Sequence, residues 1–301
     1  MPDPLICDDP QAERRWSYGR LLASDADWAA AAEVFEQCLE RAPGFAPAWS
    51  DLGKACEKIG DKDRAAACYA KALALDPADR LGAGARIERL RGVAAPTLAN
   101  AYVARLFDDY SARFDRHIRE DLHYSGPELI EEVLSGLGRR YARALDLGCG
   151  TGLAGPAVRA FAHRLEGVDL SPKMIAQAER RSVYDALFVG EAVAFLQGAD
   201  SGAYDCLVAA DVLVYLGDLR PLFAAAARAM AHGAPFVFTV EDFWTGEGFE
   251  LAESMRFRHA RGYVEGEATA NGFVVLDIRN RSSRVERGSP VPSLLVALER
   301  L

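Results

Sequence analysis

The sequence has no apolar run approaching the length of a membrane span, no excess of basic charge and no CxxC pair, and each absence excludes a class of function. Lys and Arg number 35 against 44 Asp and Glu, a net charge of −9. A nucleic-acid surface needs clustered cations to displace counterions, so no nucleic-acid partner is expected. The opening residues MPDPLICDDP lack a basic stretch followed by an apolar one, so they do not read as a secretory leader. With no span either, the expected location is cytoplasmic, with no membrane partner. The cysteines at 7, 38, 56, 68, 149 and 206 form no plausible Cys/His ligand set, so no metal is expected. They read as reduced, mostly buried thiols behaving as small hydrophobes.

What is present is an ordinary globular composition, 50% apolar and 26% charged over 301 residues, enough for two compact domains. Residues 12–79 repeat at an offset of 34. Gly19 aligns with Gly53, Tyr18 with Leu52, Ala31 with Ala65, Phe35 with Tyr69, Cys38 with Ala72 and Pro43 with Pro77. The second copy, with Trp49, Leu52, Gly53, Ala65, Tyr69, Ala72 and Pro77, resembles the tetratricopeptide repeat, with Cys56 where that pattern has a tyrosine. The first is looser, with Arg15 at the tryptophan position. Each copy is expected to be two antiparallel helices, over 12–45 and 46–79, closed by a capping helix over 79–91. This gives a repeat domain over 1–95, read either as a surface for a partner protein or second copy, or as a packing arm. Residues 92–96 read as a linker.

The rest is organised around Ala144 to Gly155, ALDLGCGTGLAG: an apolar strand ending in an acid, then a glycine turn where backbone can approach a ligand. Gly150-x-Gly152-x-x-Gly155 also satisfies the dinucleotide fingerprint, which leaves an NAD oxidoreductase as a rival. Asp146, the second acid in Gly167-Val168-Asp169, and the following Ser171, Pro172 and Met174 favour another reading. An acid at the first motif suits a cationic ligand and repels a pyrophosphate. The stretch resembles the class I S-adenosylmethionine-dependent methyltransferases, with first motif (D/E)xGxGxG. From Pro127 on, helix and strand alternate as in a doubly wound α/β sheet, and the resemblance implies a seven-stranded, Rossmann-like methyltransferase domain over 127–301. Strands are predicted at 142–147, 165–168, 186–189, 204–209, 234–240, 273–278 and 294–298, and the helix after the glycine loop reaches about His163. Acids stand at five strand ends: Asp146, Asp169, Glu191, Asp211 and Glu241.

The resemblance implies S-adenosylmethionine as cofactor and S-adenosylhomocysteine as product. It puts Gly148, Cys149, Gly150 and Gly152 under the amino-acid and ribose portions, and Asp169, followed by Leu170, on the ribose hydroxyls. Glu191 meets the adenine amino group with the Ala192 amide near the ring, and Met174 packs on the adenine face or in the core. Ala210, Asp211 and Tyr215 lie where cofactor and acceptor meet. The segment 101–129, with Tyr102, Leu106, Tyr110, Phe114, His117 and Leu122 at helical spacing, resembles the segment before the catalytic domain in bacterial repeat-containing methyltransferases. That makes 96–126 a helical cap, with His117 and Tyr124 as candidates at the active-site mouth. After strand five, residues 241–263 read as a loop over a pocket. There Arg256 or Arg258 could hold a substrate carboxylate and His259 could act as base. The catalytic candidates are therefore His259, Asp211, His117 and Tyr124. The tetrapeptide (D/N/S)PP(Y/F) of enzymes methylating exocyclic amines is absent after strand four, where AADVLVYL stands. The expected reaction is in-line methyl transfer to an oxygen or nitrogen of a small metabolite, biosynthetic intermediate or peptide. The rival from another class is a repeat-based scaffold whose domain binds the cofactor without turnover.

Overall fold

The 34-residue repeat folds as paired antiparallel helices, α1 (Pro10–Ser24) with α2 (Trp28–Arg41) and α3 (Ala46–Lys58) with α4 (Lys62–Leu75). The computed structural model describes residues 3–286 and 288–301, so the first two positions of the expected repeat domain lie outside the described residues. Close helix approach depends on glycine. A Cβ on Gly19 would come within 2.6 Å of the Phe35 ring, and one on Gly53 within 2.6 Å of the Tyr69 ring. The two rings are 1% and 0% exposed. The second helix of each pair opens on an aspartate, Asp27 or Asp61, whose carboxylate accepts from the backbone N–H three residues on. The third element, α5 (Ala83–Leu90), starts later than the predicted Asp79. Asp79 sits in the left-handed region at φ 53° and accepts from the amides of Ala83 and Gly84, so it caps the helix rather than joining it.

The chain divides into two compact units, one ending at Tyr102 and one from Val103 to Leu301. The division falls inside α6 (Asn100–Tyr110), beyond the 92–96 stretch where composition suggests a linker. After α6 come a single 3-10 turn at Ser111–Arg113, the short α7 (Phe114–Arg116) and a π-turn at His117–Asp121.

The second unit then alternates α8 (Gly126–Leu137), β1 (Tyr141–Leu147), α9 (Gly155–Arg159), β2 (Ala162–Asp169), α10 (Pro172–Arg180), β3 (Ala186–Val189), α11 (Ala192–Gly198), β4 (Cys206–Ala209) and α12 (Arg220–Ala229). β5 (Pro235–Asp242), β6 (Phe249–Leu251), β7 (Phe257–His259), α13 (Arg261–Ala270), β8 (Phe273–Asn280), β9 (Val285–Glu286), β10 (Ser289–Pro290) and β11 (Ser293–Arg300) complete it. The sheet runs β3-β2-β1-β4-β5-β11-β8, parallel through β5 and antiparallel where β11 meets β5 and β8. β5 is buried along its whole length, as a strand covered on both faces must be.

Two predictions change. The helix after the glycine loop ends at Arg159, because Tyr141 N–H donates to the Phe161 carbonyl (2.8 Å) and β2 begins at Ala162. Residues 241–263 are not simply a loop: β6 and β7 form a hairpin, and β7 pairs parallel with β5 at Glu241 and Asp242. Beyond the end of β4, β7 takes a place beside β5, so the sheet grows to nine strands at its carboxyl edge.

Candidate active site

The strand order reverses between β1 and β4, and in such sheets the ligand crevice lies beyond the carboxyl ends at that point. β1 delivers the glycine loop there, with Gly148, Gly150 and Gly152 at φ of 62°, 55° and 83°. A Cβ on Gly152 would come within 2.9 Å of the Tyr184 ring, whereas one on Gly150 would meet nothing within 4 Å, so the loop is open at Gly150. Asp169, ending β2, secures the loop: one carboxylate oxygen accepts from Gly150 N–H (2.9 Å), the other from Ser171 N–H (2.8 Å). Burial raises its pKa and these two amides oppose the rise. Leu170 beside it stays partly exposed, and Cys149 is buried, its thiol pushed well above the ordinary value by desolvation.

Asp146 is 1% exposed and accepts from the Tyr184 hydroxyl at 2.7 Å. Desolvation dominates its titration and raises it to about 7; the Tyr184 bond opposes this and nearby Asp169 adds to it. Glu191 caps α11, its carboxylate accepting from the Val193 (2.8 Å) and Ala194 (2.7 Å) amides, with Ala192 at the helix's first position. Met174 is fully buried, which favours its core role over the adenine face.

Ala210 is half-buried after β4, and Asp211 turns the chain at φ 61°. The Asp211 carboxylate meets Arg256 (3.1 Å), Arg284 (3.0 Å) and the Ser283 hydroxyl (3.1 Å). Arg284, 2% exposed, also pairs with Glu241 at the end of β5 and with Glu286. Arg256 Nε lies 2.7 Å from Glu241, and the guanidinium sits over the Tyr215 ring at 5.4 Å. The strap that carries Ser283 and Arg284 also holds the segment before α8. Ser125 N–H donates to the Ser283 carbonyl (2.8 Å), and Val285 N–H to that of Leu122 (2.7 Å).

The segment from Val103 to α8 lies against the loop. The Asp115 carboxylate accepts from Thr151 Oγ (2.5 Å) and pairs with Arg181, while Asp108 accepts from Ser171 Oγ (2.5 Å). Gln177 donates to the Ser111 carbonyl at 2.8 Å. Phe107 packs edge-on against Tyr215 (5.4 Å) and Phe114 (6.1 Å), and Phe114 against Tyr110 (5.2 Å).

The catalytic candidates separate. His259 is fully buried, its Nε2 donating to the carbonyls of Leu216 (2.9 Å) and Gly217 (3.1 Å). Burial depresses its pKa to about 4, and its ring stacks on Tyr263. This corrects the expected base role: the ring is sealed in the interior, with its Nδ1 lone pair buried out of an acceptor's reach, and the imidazole holds the turn after β4. His117 is 42% exposed and contacts the Tyr110 hydroxyl through Nδ1, with Asp121 3.9 Å from Nε2. Tyr124, within the field of Asp211 and Asp146, has its phenol pushed well above its ordinary value, mainly by burial. It stays a donor. Arg258 pairs with Glu250 over the Phe243 ring, away from Asp211. The sequence pointed to none of Tyr184, Asp108, Asp115, Ser283 and Arg284, although the RSSR run at 281–284 interrupts two strand patterns and is a signal in retrospect.

Residues 145–238 match the family described as methyltransferase domain, and residues 46–79 match the tetratricopeptide repeat. The chain carries a methyltransferase domain. It is similar to the ubiquinone biosynthesis O-methyltransferases of Xanthomonas oryzae pv. oryzae (strain PXO99A) and Xanthomonas axonopodis pv. citri (strain 306), 25% identical over 118 residues in each case. That region is 38% of this chain and 49% of each relative, so the chain spans about half the length of the curated relatives it matches. Its architecture is shared with magnesium protoporphyrin IX methyltransferase from Synechocystis PCC 6803, solved with bound SAM. Here the identity is 17% and the TM-score 0.52, over 67% of this chain and 97% of that one. A chain from the Haloferax volcanii complex between the Trm112 methyltransferase activator and the putative methyltransferase shares it too, at 17% identity and TM-score 0.51, over 64% and 96%. Around the methyltransferase domain's switch point the structure gathers Asp146, Gly148, Gly150, Asp169, Glu191, Asp211 and Tyr215 at the strand ends, and leaves His259 and Met174 in the interior.

Proposed function

We propose that this chain transfers a methyl group from S-adenosylmethionine to an oxygen or nitrogen nucleophile of a small acceptor. The observation that carries the reading is Asp169: a carboxylate at the end of β2, oriented by two amides, beside a glycine loop open at Gly150. A carboxylate accepting only one N–H on each oxygen keeps lone pairs for the two ribose hydroxyls. The acid Asp146 suits the cationic part of the same ligand, and Glu191 with Ala192 the adenine edge. When bound, the cofactor supplies an electrophilic methyl carbon on a sulfonium. The chain supplies alignment and proton handling. Asp211, held by two guanidiniums and a hydroxyl, positions the wall between cofactor and acceptor; Tyr124 donates; and His117, through its contact with Tyr110, is the group assigned to take the acceptor's proton. The name of the curated relatives supports oxygen over nitrogen as the acceptor atom.

The repeat unit is read as a contact surface for a protein partner or second copy, supported by the match over 46–79. A cytoplasmic setting fits the six free thiols; among the described residues no helix is long and apolar enough to cross a membrane. The test is calorimetric titration with S-adenosylmethionine, S-adenosylhomocysteine and NAD on wild type, Asp169→Ala and Asp169→Asn. Saturable binding of the sulfur nucleosides, weakened at least about tenfold by either variant, is expected, a loss of two charge-assisted hydrogen bonds. Preference for NAD refutes the reading, and binding of the sulfur nucleosides without methyl transfer to any acceptor returns the scaffold alternative.

A further inference from the structure

The two arginines at Asp211 are not equivalent. Arg284 is 2% exposed and saturated, each guanidinium nitrogen facing a carboxylate, of Asp211, Glu241 or Glu286. Arg256 keeps 18% of its side chain exposed and shares both of its acids with Arg284. Its Nε makes no aligned hydrogen bond, and its contact with the Tyr215 hydroxyl is long at 3.4 Å. It is held by a hydrogen bond from Nη2 to Asp211 (3.1 Å) and by stacking on Tyr215, and its charge reaches the phenols of Tyr110 and Tyr124. Backbone strain gathers around it. Left-handed φ occurs at Met255 (60°), just before Arg256, at Asp211 (61°), and at His123 (47°), just before Tyr124. Such conformations persist where surrounding structure holds a functional group in place.

We propose that Arg256 anchors a carboxylate on the methyl acceptor, and that the acceptor is a ring-bearing acid seated between this guanidinium and the aromatic side chains of Phe107, Tyr110, Phe114 and Tyr215. The inference rests on the methyltransferase reading above. A guanidinium edge matches a carboxylate with two parallel N–H···O bonds, which a lysine could not do. When Arg256 turns to the ligand, Arg284 still bridges Asp211 and Glu241, so neither acid is left buried without a cation. The neighbouring rings form edge-to-face contacts 5.2 to 6.1 Å apart, a wall suited to another ring. Arg258 faces Glu250 and the Phe243 ring, whereas Arg256 is the arginine that stacks on Tyr215 of the aromatic wall.

The test titrates the full chain, saturated with S-adenosylhomocysteine, with hydroxyaryl and indolyl carboxylates, including 4-hydroxybenzoate and indole-3-acetate. Each acid is compared with its neutral amide. At least one acid is expected to bind about tenfold or more tighter than its amide. Arg256→Lys should narrow that gap and Arg256→Gln erase it, while Arg258→Gln leaves it unchanged. If no acid binds, if amides bind equally, or if Arg258→Gln removes the preference, the proposal is overturned. The wild-type acid-to-amide ratio decides even if the Arg256 variants fold poorly. Failure of wild type to bind S-adenosylhomocysteine would instead sink the methyltransferase reading beneath it.

Discussion

Asp146 offers the sharpest test of the site's electrostatics. Its carboxyl titrates at about 7 in the folded chain against 3.8 for the free side chain, because burial disfavours the anion more than the Tyr184 hydroxyl supports it. Native protein therefore binds this proton more tightly than unfolded chain between those values, and stability present at low pH is lost as pH rises through about 7. At ~1.4 kcal/mol per pH unit the interval corresponds to a ceiling of about 4 kcal/mol, and to about 2 kcal/mol once the site polarises around the anion. Asp146→Asn imitates the neutral acid and should remove that slope. The variant should match wild type below about pH 4 and exceed it by about 2 kcal/mol at pH 8.5.

A second group complicates the wild-type profile and strengthens the test. His259, at about 4 in place of 6.5, resists protonation in the fold, so its contribution is complete above 6.5 and disappears as pH falls through 4. Between about 4 and 6.5 the two slopes oppose one another with one proton each, leaving wild type nearly flat there. Asp146→Asn exposes the rising His259 limb alone. The assay is the urea denaturation midpoint at half-unit pH steps at constant ionic strength, with m-values compared. A variant-to-wild-type difference that stays constant from pH 4 to 8.5 would refute the reasoning, since it leaves no buried proton to lose.

The other perturbations are simpler. Gly53→Ala puts a methyl 2.6 Å from the Tyr69 ring and should lower the stability of the repeat unit by about 2 kcal/mol. S-adenosylhomocysteine affinity should be unchanged; thermal unfolding and titration together check both halves. Arg284→Met leaves Asp211 and Glu241 with one shared guanidinium and should cost about 3 to 5 kcal/mol, far more than Arg258→Met, whose ion pair is 42% exposed on the arginine side. Equal denaturant midpoints for the two variants would contradict that ranking. His259→Asn should loosen the turn at Leu216 and Gly217 while the pH–rate profile keeps the wild-type shape. Loss of a catalytic limb in that profile would restore the base role.

What the sequence showed was local. Gly53 and Tyr69, sixteen residues apart in one repeat copy, form one helix crossing, and Ser171 caps α10 by its own hydroxyl (3.1 Å to Met174 N–H), both contacts between residues close in sequence. β3 was legible to the residue because its apolar run stops at Gly190. His259 shows the limit: residue type marked it as a base, but only the fold reveals that β7 joins β5 at Asp242 and seals the ring inside. Tyr184 lay outside every motif. Its hydroxyl reaches Asp146 because β2 and β3 are neighbours, a relation set by tertiary packing.

The least legible part is also the one that joins the site together. β8 and β11 coincide with the last two strands expected from sequence, and no motif marks the residues between them. In the fold that connection inserts Ser283 and Arg284, 0% and 2% exposed, between strand ends whose acids lie more than forty residues earlier in the chain. Its backbone at Ser283 and Val285 bonds Ser125 and Leu122 at the same time. One short strap thus fixes the charge balance at Asp211 and anchors the segment that lies over the glycine loop. Perturbing Arg284 should therefore alter that segment as well as Asp211. In hydrogen exchange, Arg284→Met should raise exchange at Leu122 to Ser125, whereas a purely electrostatic role would leave those amides protected.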